Sequence, residues 1–149
     1  MILIAHRGNT TGPNPTLEND PSYIDKAISK GYNVEVDLWY EDSKLYLGHD
    51  SPQYEISLEW IYERASELWI HCKNLDAVTY FWNENINTKV FNFFWHEEDA
   101  VTLTSSHYIW AYPGNQPLEG SIAVMPELYD DQVTVCEGIC SDYIEEYSK

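Results

Sequence analysis

Short apolar runs recur along the chain, and several of them end abruptly in charged or hydrogen-bonding residues. Ile2-Leu3-Ile4-Ala5 runs into His6-Arg7-Gly8, Asn33-Val34 into Glu35-Val36-Asp37, and Leu45-Tyr46-Leu47 into Gly48-His49-Asp50. Brief runs rich in β-branched and aromatic residues, bounded by Gly, Pro, Asn and Asp, predict strands. On that basis strands are expected at 2–5, 33–39, 45–47, 68–73, 89–95, 108–112, 121–125 and 136–141. Helical spacing fills several intervals. A helix opens at Pro21-Ser22-Tyr23 and stops at Lys30-Gly31, where a basic last turn precedes glycine. A second covers 57–68 with Leu58, Ile61, Tyr62 and Ala65 on one face, a third covers 76–82, and a short one is expected near 97–103. The turn at 41–44 makes a hairpin of the second and third runs. Strands alternating with short helices predict an α/β fold with a parallel sheet of six or seven barrel-type strands.

Alternation then sorts the second strand. Side chains two apart on a strand share a face, so Glu35 and Asp37 point together while Val34, Val36 and Leu38 pack the other way. Two carboxylates on an inward face are costly without a cation between them. Polar groups at the ends of buried strands are where an α/β barrel gathers its chemistry. His6 and His49 each follow an apolar strand, and imidazole titrates in the range needed to give and take protons. Arg7 and Lys73 also sit at strand ends, where a guanidinium fork and an ammonium suit phosphate oxygens. Arg7 as a plain ion-pair partner of Glu18 is the alternative. Glu18, with Asn19, is expected to orient the first loop or His6. His96 and His107 are read as structural or surface residues, with a place facing the mouth as the alternative for His96, and Trp110 and Tyr112 as candidates for a stacking wall.

Composition narrows the partners. The chain has 149 residues, enough for one domain over 1–149 with its own core, and 44% are hydrophobic. Its formal net charge of −17, from 25 acidic and 8 basic residues, argues against nucleic acid and against an anionic membrane surface. A phosphate-bearing small molecule would need a metal and the few basic residues to offset that field. Cys72, Cys136 and Cys140 are an odd set in a chain that needs no staples, and are read as reduced thiols. The opening apolar run is too short for a signal peptide, and no run approaches a membrane span, so a cytoplasmic location is expected.

In order and spacing, His6-Arg7-Gly8, Glu18-Asn19, Ala27, Gly31, Glu35-x-Asp37 and Leu47-Gly48-His49-Asp50 resemble the glycerophosphodiester phosphodiesterases, within the phosphatidylinositol-phospholipase-C-like TIM-barrel superfamily. Weaker echoes follow in Ile70-His71-Cys72-Lys73, in the run at 109–112, and in Gly138 to Tyr143. The resemblance implies a TIM-type (β/α) barrel. At 149 residues, with only 21 between His49 and His71, it would be miniature or incomplete, with shortened helices and no insertion domain.

The family likeness also implies a function. The expected activity is metal-dependent hydrolysis of a small glycerophosphodiester-like substrate, giving glycerol 3-phosphate and an alcohol. His6 and His49 would be the acid and base, and Arg7 and Lys73 the phosphate grips. Glu35, Asp37 and His71 would hold a divalent cation, with His71 standing where the family carries a carboxylate. Oxygen donors suit Mg2+ or Ca2+, whereas a ligating imidazole shifts preference toward Mn2+, Zn2+ or Fe2+. The alternative is a catalytically impaired remnant that binds metal or phosphate without turnover. An oligomer built on exposed aromatics and an open sheet edge is a third.

Overall fold

The computed structural model describes residues 1–148. In chain order the elements are β1 (Ile2–His6), α1 (Pro21–Ser29), β2 (Asn33–Glu41), β3 (Lys44–Leu47), β4 (Tyr54–Ile56), α2 (Leu58–Tyr62), β5 (Leu68–Cys72) and α3 (Leu75–Thr88). Then come β6 (Asn92–Phe94), β7 (Val101–Leu103), β8 (Ile109–Ala111), β9 (Ser121–Val124) and β10 (Gly138–Ser141). Single 3-10 turns follow β9 at Pro126–Leu128 and β10 at Ile144–Ser148.

Seven strands form one parallel path, β6-β5-β2-β1-β10-β9-β8, so the first strand lies between the second and the last. The sheet is curled, and its two parallel ends, β6 and β8, share no ladder among the described residues. The segment after β7 spans part of that gap. Ser105 N–H donates to the Phe93 carbonyl at 2.8 Å, and the Ser105 hydroxyl accepts from Phe93 N–H at 2.9 Å. The far half of β2 leaves the parallel path to form an antiparallel ribbon with β3 and β4.

Strand alternation divides the buried side chains into two sets. On the convex side, Ala5, Val34, Val36, Leu38, Leu68 and Ile70 pack against Ile24 and Ala27 of α1, Ile61 of α2, and Ala77 and Phe81 of α3. On the concave side, Ile4, Trp69, Phe94, Trp110, Ile122 and Cys140 fill the curl. Each large side chain removed from water in this way stabilises the fold by roughly 1.5–3 kcal/mol. The next inward positions toward the C-terminal strand ends are polar: His6 on β1, Glu35 and Asp37 on β2, and His71 on β5. Helix ends fix the loops around them. Asp20 caps α1 by accepting from Ser22 and Tyr23 N–H, and Asn74 caps α3 by accepting from Ala77 N–H. Asn74 also donates to the Tyr40 carbonyl, tying α3 to the end of β2.

The structure corrects the sequence reading in four places. The segment 97–103 is not a helix: Val101–Leu103 is strand β7, paired antiparallel with Ile109–Ala111. β4 was not foreseen. α2 is one short turn and a half rather than a helix over 57–68, and α3 runs on to Thr88 rather than stopping at 82. The mixed α/β class, the parallel strands and the shortened helices agree with expectation. The three cysteines are unpaired, with Cys72 and Cys140 buried. No helix among the described residues is long and apolar enough to cross a membrane.

Candidate metal centre

Parallel register brings the candidate residues together. His6 sits opposite Glu35 across β1 and β2, and Asp37 opposite His71 across β2 and β5. Asp37 is fully buried, and Glu35 and His71 nearly so. Ligand atoms from Glu35, Asp37 and His71 all lie within 4.8 Å of one another, a group that could hold a metal ion. Glu35 and His71 line a cavity of about 440 Å3, whose other walls include His6, Arg7, His49, Lys73, His96 and Tyr112.

The local hydrogen bonding fits a cation. Glu35 Oε2 and Asp37 Oδ1 are buried with no hydrogen-bond partner. His71 Nε2 approaches the His96 carbonyl at 3.4 Å, which places the ring proton there. Its Nδ1 then faces Asp37 Oδ1 at 3.2 Å and Glu35 Oε1 at 3.7 Å. A lone pair turned toward two carboxylate oxygens is repulsive unless a proton or a metal lies between them.

Positive charge crowds the same carboxylate. Arg7 Nε is 2.9 Å from Asp37 Oδ2, and Lys73 Nζ is 3.5 Å from Oδ1. His49 Nδ1–H donates to Asp37 Oδ2 at 3.2 Å, and Asn19 clasps the residue from both sides. The Asn19 amide donates to Oδ2 at 3.0 Å, and its oxygen accepts from Asp37 N–H at 2.9 Å. Burial opposes ionisation of Asp37, but the bond from His49, the adjacent His71 ring and the charges of Arg7 and Lys73 prevail, holding it well below the usual carboxylate range. Glu35 goes the other way: burial, reinforced by the neighbouring Asp37 charge, pushes its carboxyl up. Two carboxyls in one site thus have opposite tendencies.

Each expected residue lines or supports this cavity. Arg7 also donates from Nη1 to Glu18 Oε2 at 3.2 Å and from Nη2 to His49 Nε2 at 3.3 Å, so the Arg7–Glu18 ion pair is present. Glu18 Oε1 accepts from Asn9 at 2.9 Å. His6 Nδ1–H donates to Asp142 Oδ1 at 2.8 Å, which leaves Nε2 facing the cavity 3.9 Å from Glu35 Oε2. Burial disfavours the charged imidazole, but the Asp142 bond and the Glu35 charge outweigh it and raise the His6 pKa. Tyr112 lines the cavity and Trp110 lies buried beneath it. Asp50 and His107 are exposed, outside this constellation.

Two participants were missed in the sequence. Asp142 ended the terminal strand in the resemblance, but nothing local marked it as the partner of a residue 136 positions away. For His96 the structural or surface reading gives way to the mouth-facing alternative, since its ring lines the cavity. It stacks on His71 with centroids 4.3 Å apart and planes 9° from parallel. Burial, and then the charge of His71, push its pKa down to about 4.

No family model, curated protein or solved structure matches the chain. The family likeness rests on the residues quoted above.

Proposed function

We propose that the protein is a metal-dependent phosphodiester hydrolase acting on small glycerophosphodiester-like substrates, on a reduced TIM-type barrel. The observation that carries this reading is the buried Glu35–Asp37–His71 cluster. Two of its oxygens lack partners, and His6, His49, Arg7 and Lys73 each reach within 3.9 Å of its carboxylates.

A divalent cation held there supplies polarisation of a phosphoryl oxygen and neutralises charge gathering on the phosphorus centre. The mixed donor set of two carboxylates and one imidazole favours Mn2+ or Zn2+ over Mg2+ or Ca2+. Lys73 and Arg7 contribute positive charge at the remaining oxygens. His6 is the general acid: Asp142 orients the ring and favours its protonated form, and Nε2–H is directed into the cavity to protonate the departing alkoxide. His49 is the base. Its Nε2 takes the proton of the attacking oxygen, whether from water or from the substrate's own glycerol hydroxyl, once Arg7 turns to the phosphate. Attack by water gives a phosphomonoester and a free alcohol directly; attack by the glycerol hydroxyl expels the alcohol and forms a cyclic phosphodiester, which water then opens to the phosphomonoester, glycerol 3-phosphate for the family's substrates.

A second reading, a binding module without turnover, draws on one specific feature. The Arg7 guanidinium is already engaged by Glu18, Asp37 and His49, leaving little of it for phosphate. One experiment separates the two: hydrolysis of bis(p-nitrophenyl) phosphate and glycerophosphocholine with Mg2+, Ca2+, Mn2+ and Zn2+, with Glu35→Ala as control. Metal-dependent turnover absent from the variant supports the hydrolase. Metal binding without turnover under any ion supports the module.

A further inference from the structure

His96 is the cavity residue the proposed reaction leaves unused. It follows β6, where the parallel path ends, and so forms the wall across from His6 and Arg7. Its ring is held from two directions. His71 stacks against one face at 4.3 Å, and Tyr112 meets it edge-on at 4.3 Å, 87° from parallel. Tyr112 is itself fixed, its hydroxyl donating to the Glu97 carbonyl at 2.9 Å. Few side chains in the cavity have so little freedom.

Stacking alone does not account for an imidazole here. His96 Nδ1 is buried without a hydrogen-bond partner, a cost that phenylalanine would avoid while filling the same slot. With Nδ1 sealed off, Nε2 is the nitrogen left to meet a ligand, and the tautomer with its proton on Nε2 presents a donor. Resting on the hydrolase reading above, we propose that His96 is a substrate-contacting residue. Its imidazole donates a hydrogen bond to a glycerol hydroxyl oxygen of a phosphodiester bound at the Glu35–Asp37–His71 cluster. The wall it shares with Trp95 and Tyr112 receives the glycerol, and His6 faces the ester oxygen of the departing alcohol from across the cavity.

The test compares wild type with His96→Phe, which keeps the stack and removes the donor, and His96→Gln, which restores a donor near the position of Nε2. Kinetics are measured on glycerophosphocholine with Mn2+, alongside Mn2+ affinity by calorimetry and Tm. The expected result is a 10–100-fold fall in kcat/KM for His96→Phe with Mn2+ affinity and Tm unchanged, and recovery of at least several-fold in His96→Gln. Wild-type kinetics in His96→Phe would overturn the assignment. So would a parallel loss of Mn2+ affinity and Tm, which would make the residue structural. If the wild type turns over no diester, the hydrolase reading fails by itself. Calorimetric binding of glycerophosphocholine to the Mn2+-loaded proteins then decides His96: weaker binding in His96→Phe supports the contact, and equal binding overturns it.

Discussion

Asp37 shows how one side chain can be both indispensable and overcommitted. It is fully buried and neutralises Arg7 and Lys73 while accepting from His49 and Asn19. Removing its charge leaves Lys73 without its ion-pair partner and Arg7 with Glu18 alone, and breaking such a buried pair costs about 3–5 kcal/mol. Asp37→Asn is therefore expected to lower unfolding stability in urea by about 3 kcal/mol at pH 7. Its depressed pKa gives stability that is present above the ordinary carboxylate value of 3.8 and is lost as pH falls through the folded value. Glu35 has the reverse sign. Its raised pKa means that ionisation costs stability, a cost that builds as pH rises above the ordinary value of 4.5 and is complete above the folded value. Without divalent ions Glu35→Gln is expected to raise Tm, by about 2–4 °C for each kcal/mol relieved. Addition of Mn2+ should then raise Tm in the wild type and not in the variant. His6 adds a pH signature. If it is the acid, kcat falls as pH rises through its elevated pKa, and Asp142→Asn, by removing a raising influence, shifts that fall to lower pH. An unshifted alkaline limb in the Asp142 variant would remove His6 from that role.

At the scale of elements, the strands with the strongest apolar runs were legible in the sequence because they are buried on both faces. β1, β2 and β5 all pack helices outside and an aromatic plug inside. β7 was illegible because three residues, Val101-Thr102-Leu103, carry no periodicity of their own. Their strand state comes from pairing Thr102 with Trp110 and from the Thr102 hydroxyl bonding the Trp95 carbonyl. The site divides in the same way. Glu35, Asp37 and the strand-end histidines announced themselves through alternation and position, whereas Asp142 and His96 acquire meaning only when β10 and β6 close on β1 and β5. That closure is tight. A Cβ on Gly138 of β10 would lie 2.7 Å from the Ile2 carbonyl oxygen and 2.8 Å from the Ile2 Cβ. Gly138→Ala must push β1 from β10. It is expected to cost about 1–3 kcal/mol in urea unfolding, and to reduce turnover by misplacing His6 against Asp142.

For the whole molecule, the net charge of −17 sets the terms of stability and of ligand choice. Like charges at this density repel one another across the surface, a repulsion that salt screens. Raising NaCl from 10 mM to 0.5 M is expected to raise Tm, in contrast to a protein whose surface depends on ion pairs; an unchanged or lower Tm would show that local pairs such as Lys30–Glu145 dominate. The same field draws divalent cations toward the cavity and disfavours free anions. On the hydrolase reading proposed above, a phosphodiester, with one negative charge, enters more easily than the dianionic monoester that would leave.

The position of β1 between β2 and β10 has a consequence for how the molecule is made. Of the ten strands, the first to emerge from the ribosome is completed by the last: Ile2 to Ala5 have one neighbour from β2 onward, but the other edge stays bare until Gly138 to Ser141 appear. Between the synthesis of β2 and that of β10 the nascent chain carries an apolar strand with an unpaired edge, the geometry most prone to joining another chain. His6 likewise lacks Asp142 over that interval, so the bond that orients its ring forms only when β10 closes on β1.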